Sequence, residues 1–150
     1  MEEFSKVRWN LNASFKANLG EDRLKREVFD LINSRFLTDG IHKDRWASLV
    51  MEYKQLLKPH GWLQMAEVSW TFHSQSGQAL PNLTAWSEAY SRALCLMDRD
   101  PQITGRMEQV LAFAGFELVN RGIRRILVGT GRGGDHRIHV VCESAMLTSL

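Results

Sequence analysis

The chain has 150 residues, of which 44% are hydrophobic and 24% charged, with a net charge of +2. These values exclude bulk disorder and fit one globular α/β-sized domain over residues 1–150, long enough to bury roughly 70% of its extended surface. So small a net charge exerts little pull on a polyanion and argues against a nucleic-acid partner.

The opening MEEFSKVRWNLN has no apolar leader core, and no stretch approaches the roughly 20 apolar residues of a membrane span. A cytoplasmic or nuclear protein, neither secreted nor in a membrane, is therefore expected, with Cys95 and Cys142 as buried reduced thiols. Ala13–Lys16 reads as a weak strand around Phe15, and Val28–Asn33 as a stronger, apolar one. Trp46, Leu49, Val50, Tyr53, Leu56 and Leu57 recur at helical spacing, and Lys58-Pro59-His60-Gly61 stops that helix. Trp62–Val68 is a strand, and the polar stretch Ser74–Asn82 is a loop. Thr84 reads as the N-cap of a second helix with Trp86, Ala89, Tyr90, Ala93, Leu94 and Met97 on one face. Asp98–Pro101 breaks it. Ile103, Met107, Val110, Leu111 and Ala114 form a third stripe, closed by Gly115 at C′. Phe116–Val119 and Arg125–Val128 read as strands separated by a turn or bulge at Gly122, and Arg137–Cys142 as the last strand. Strands alternating with helices predict an α/β sheet.

Three stretches carry a resemblance. Phe29-Asp30-Leu31-Ile32 is followed by the Trp46–Leu57 helix, then by LKPHGWLQ (Leu57–Gln64), and later by LAFAGFELV (Leu111–Val119). Together, over roughly Ser14–Leu127, they resemble the middle and end of a class I S-adenosylmethionine (SAM)-dependent methyltransferase, from near strand three onward. Trp46 and GWLQ are similar to the LaeA-like fungal methyltransferases, which include secondary-metabolite tailoring enzymes and a regulator of their gene clusters. The resemblance implies a partial Rossmann-like sheet with flanking helices, SAM as cofactor and a small-molecule acceptor. His60 stands where the family usually has glycine, at a position that favours φ > 0.

The same resemblance implies a glycine-rich loop after strand one and an acidic residue ending strand two. The residues before Phe29 supply neither, their sole glycine being Gly20, so the chain reads as an N-terminally short form. GTGRGG (Gly129–Gly134) follows an apolar run, but only Asp135-His136-Arg137 separates it from the next one. That leaves no room for the helix of a phosphate-type loop, and the stretch reads as a hairpin turn. Arg121, Arg124, Arg125, Arg132 and Arg137 read as a solvated basic edge, with an anion patch as the other reading.

Candidate cofactor contacts follow from the resemblance. Asn18 stands near the end of strand three, where its amide would accept from the adenine amino group, or it is a turn residue before Gly20. Asn33, Ser34 and Arg35 match the stretch beside the methionine moiety, or are ordinary strand-end polarity. Of His42, His73 and His139, His73 is the best-placed candidate base, the alternative being a surface loop histidine. Trp70 and Phe72 line an acceptor pocket or pack in the core. No metal-ligand spacing appears. Two functions stand: a methyltransferase, or a non-catalytic relic of the fold acting as an interaction or regulatory module. With strands one and two missing, Phe29–Asn33 would present a bare edge to a second copy or a partner chain, unless Ala13–Lys16 covers it.

Overall fold

The computed structural model describes residues 8–15, 27–128 and 138–149. Within them a four-stranded sheet runs in the order β1-β2-β4-β3. The strands are β1 (Phe29–Arg35), β2 (Leu57–Ser74), β3 (Phe116–Leu127) and β4 (Ile138–Ser149). The helices are α1 (Arg45–Leu56), α2 (Pro81–Leu96) and α3 (Ile103–Phe113).

β1 and β2 are parallel neighbours joined through α1, as the α/β reading requires. Ile32 pairs with Leu63 and Ser34 with Met65. β4 then runs antiparallel to β2, and β3 antiparallel to β4. The register between β1 and β2 breaks between Phe29 and Leu31, because Lys58-Pro59-His60-Gly61 bulges out of the ladder. His60 takes φ 61°, the left-handed conformation expected of a glycine position. Gly61 is needed for close approach: a Cβ there would lie 2.9 Å from the Lys58 carbonyl oxygen and 3.2 Å from that of Phe29.

One face of the sheet carries the core. Leu63, Met65, Ala145 and Leu147 pack against Trp46, Leu49, Val50 and Tyr53 of α1 and against Ile103, Met107 and Leu111 of α3. Gly115 ends α3 at φ 77°, and the Lys54 ammonium donates to its carbonyl oxygen at 2.6 Å.

Several expectations change. Ala13–Phe15, the described part of the first expected strand, joins no strand and packs instead on α1. The buried Arg45 guanidinium draws it there, donating to the carbonyl oxygens of Leu11 (2.9 Å) and Ala13 (3.0 Å) while pairing with Glu52. Among the described residues β1 therefore has no strand on its outer side. α2 begins at Pro81, not after Thr84, because proline at the first helical position has no amide hydrogen to satisfy. Its apolar stripe is not a core face: only Leu94 is buried, while Trp86 is 46% and Met97 60% exposed. Gly122 is no turn. It lies inside one continuous strand, where a Cβ would meet Ser144 Oγ at 2.9 Å, and the bulge falls between Leu118 and Asn120. Cys95 is exposed, whereas Cys142 is buried. No described helix is long and apolar enough to cross a membrane.

Candidate functional site

The two parallel strands β1 and β2 end on the same side, where open α/β sheets place their ligands. The chain leaves β1 at Phe36, with φ 56°, and turns through Thr38, Asp39 and Gly40. Opposite stands Glu67. Leu63, Met65 and Glu67 occupy one face of β2, so the carboxylate continues the core row and is fully buried (0% exposed). It is held by the turn. The Leu37 amide donates to Oε1 at 3.0 Å, and the Thr38 amide and hydroxyl donate to Oε2 at 3.0 and 2.7 Å. Burial pushes the Glu67 carboxyl above its ordinary range, and these three hydrogen bonds pull it back in part.

Beneath this turn lies a cavity of about 260 Å³ lined by Phe36, Thr38, Asp39, Glu67, Val68 and Trp70. An aromatic group adjoins it. Trp70 meets Trp86 and Tyr90 of α2 edge-on, at centroid distances of 6.3 and 6.2 Å, and those two rings stack at 5.0 Å. The Tyr90 hydroxyl faces the Asp39 carboxylate. Burial first, and then Asp39, push its pKa up to about 12. The exposed stripe of α2 thus has a use: it backs the β2 extension beside the cavity.

Of the residues singled out in the sequence, Trp70 lines this cavity. Phe72 packs on Trp86 at 5.6 Å and lines a neighbouring hollow with Thr84 and Ser87. Ser34 is buried, its hydroxyl 3.4 Å from that of Tyr53. Asn33 and Arg35 lie on the other, open face. There Arg35 Nε donates to Asn33 Oδ1 at 2.8 Å, and both residues donate to Gln64 Oε1. His73 stands across the β2–β4 ladder from His139, with the rings stacked at 5.5 Å, and is not among the cavity's lining residues. Burial, then Arg125 and His73, lower the His139 pKa. His42 lies 2.7 Å from an Arg99 nitrogen, also outside the lining. Asn18 and Gly129–Gly134 lie outside the described residues, although the strands flanking the glycine stretch pair antiparallel and so cannot belong to a βαβ unit. No group of three or more His, Cys, Asp or Glu among the described residues is placed to hold a metal.

Sequence reading missed Phe36, Thr38, Asp39 and Glu67. The signal for Glu67 was present: one charged residue in core phase within an otherwise apolar strand, in LQMAEV.

No family model matches the sequence, and no curated protein matches it. Solved structures do. A SAM-dependent methyltransferase from Methanosarcina mazei superposes with a TM-score of 0.60 at 14% identity, over 85% of this chain and 62% of that one. A SAM-dependent methyltransferase from Thermotoga maritima superposes with a TM-score of 0.56 at 15% identity, over 85% of this chain and 59% of that one. The mixed α/β sheet is thus the partial Rossmann-like fold of these enzymes, and the chain spans about three fifths of the length of either.

Proposed function

We propose that this chain forms the acceptor side of a SAM-dependent methyltransferase of the LaeA-like fungal kind, acting on a small-molecule acceptor in secondary metabolism. One observation carries the reading: the strand order β1-β2-β4-β3, one parallel and two antiparallel pairings, opens a cavity at the joint ends of β1 and β2. The LaeA-like refinement draws on sequence alone, on Phe29–Ile32, Leu57–Gln64 and Leu111–Val119.

SAM supplies a methyl group on a sulfonium leaving group, so the protein's main task is positioning. The residues present fit part of that task. Asn33 and Arg35 keep amide and guanidinium groups at the exposed end of β1, and we assign them to the cofactor side together with Asn18. Ser34, bonded inward to Tyr53, supports that strand end. Glu67 holds the turn that roofs the acceptor cavity. His73, away from the cavity lining, is left out of this assignment.

A second reading, a methyltransferase-fold module that works by interaction, draws on the outer side of β1, which no described strand covers and where Leu31 is 53% exposed. Methyl transfer from isotopically labelled SAM separates the two. The assay compares the 150-residue chain with a form translated from any reading frame continuous upstream of Met1. Transfer by the longer form alone is expected. Absence of such a frame, or its inactivity, favours the interaction module.

A further inference from the structure

The lining of the cavity is one-sided in charge. Asp39 and Glu67 contribute carboxylates, Phe36 and Trp70 contribute aromatic surface, and among the described residues no Lys, Arg or His lines it. The protein as a whole carries +2, so this polarity is local. The described cations nearby, Arg35 and Arg99, are engaged elsewhere. Arg35 is bonded to Asn33 and Gln64 on the opposite face. Arg99 donates to the Asp39 backbone carbonyl at 3.2 Å, to the Met97 carbonyl at 3.0 Å and lies 2.7 Å from His42 Nδ1. The Asp39 carboxylate forms no ion pair with a described residue.

The two acids differ in role. Glu67 is buried and already accepts three hydrogen bonds from the turn. Asp39 is exposed and lines the cavity on the side of α2. A solvent-accessible carboxylate in the wall of an aromatic-lined hollow meets the two requirements of an organic cation. It offers a counter-ion for the charge and π faces for the alkyl or aryl groups around it. An anionic ligand would meet two carboxylates. A neutral apolar ligand would leave Asp39 without a new partner and gain only the aromatic contacts.

We infer that the cavity bounded by Phe36, Asp39, Glu67 and Trp70 binds a small organic amine in its cationic form, the ammonium against Asp39 and its carbon frame against Phe36 and Trp70. Naming this ligand as the methyl acceptor rests on the methyltransferase reading; the binding site itself does not.

The test omits SAM. The chain is titrated with phenethylamine, with its neutral counterpart 2-phenylethanol and with the anion phenylacetate, by calorimetry and by tryptophan fluorescence at pH 7. The amine is expected to bind about tenfold more tightly than the alcohol, the order of one exposed charge–charge and cation–π contribution. Phenylacetate is expected to bind weakest. Asp39→Asn should bring amine and alcohol to equal affinity, Asp39→Glu should keep the preference, and Trp70→Leu should weaken both. Equal affinities in the unsubstituted chain, a preference for phenylacetate, or no saturable binding overturns the inference, whatever the variants do. Amine preference without methyl transfer by any form faults only the methyltransferase reading. Transfer without amine preference faults only the cation site.

Discussion

Glu67 Oε2 accepts twice from Thr38, from its amide at 3.0 Å and from its hydroxyl at 2.7 Å, while Oε1 takes the Leu37 amide at 3.0 Å. Both oxygens face donors, so an amide side chain cannot replace the carboxylate: its NH₂ would meet a backbone N–H. Glu67→Gln is therefore expected to destabilise the fold by about 1–3 kcal/mol, the cost of a buried donor left without its acceptor. Urea unfolding measures it, and an unchanged midpoint would show that the turn does not depend on this residue.

The same carboxyl sets a pH dependence. Burial raises its folded pKa above the ordinary 4.5, so near and above that value the folded state holds the proton longer than the unfolded chain. The resulting stability is fully present below the ordinary value and is lost as pH rises through the raised one. Comparing the pH–stability curves of the protein and of Glu67→Gln isolates this decline. It should be absent from the variant. The parent's advantage over the variant should therefore grow as pH falls through this window; an advantage that instead shrinks as pH falls would reverse the sign and refute the desolvation account.

His60 occupies the left-handed region at φ 61°. A non-glycine residue there costs roughly 1–2 kcal/mol, partly offset by glycine's greater entropy loss on folding, about 0.5–1 kcal/mol. His60→Gly is expected to stabilise the fold by about 0.5–1 kcal/mol in a thermal or urea melt. Gly61→Ala next to it should destabilise, since its Cβ would lie 2.9 Å from the Lys58 carbonyl oxygen. If both changes were neutral, the tight bulge between β1 and β2 would not exist in solution.

The outer side of β1 leads to an association prediction. Ala13–Phe15 packs on α1 and not beside β1, and no described strand takes that place. Phe29 and Leu31 are exposed, so an apolar edge that no described strand pairs can meet another chain. The 150-residue chain is expected to dimerise or aggregate, with slow amide exchange over Phe29–Asn33 in the associated form. A monomer by light scattering, with fast-exchanging amides at those positions, would show the edge to be open and harmless.

The parallel β1–α1–β2 unit was legible because its signals agree: a short apolar strand, a helix with one apolar face, and Pro-His-Gly punctuation. The Gly115 stop was equally plain. The length of β3 was not, since Gly122 suggests a turn unless one knows that the Ser144 side chain fills the space a Cβ would need. The first expected strand failed for a tertiary reason, the pull of the buried Arg45 on the carbonyls of Leu11 and Ala13. At the site, Trp70 was visible as an aromatic with two meanings. Phe36, Thr38 and Asp39 were not visible, because a turn becomes a cavity wall only when Glu67, thirty residues on, fixes where it lies.

The proposed function is a division of labour, with the acceptor cavity on this chain and no main cradle for SAM among the described residues. Calorimetry of the 150-residue chain with SAM tests it most directly. The account predicts no binding, or a dissociation constant of about 1 mM or weaker, equivalent to no more than about 4 kcal/mol. A micromolar constant would contradict it and would place a working cofactor site within this sequence, with Asn18, Asn33, Arg35 and Gly129–Gly134 the first residues to substitute.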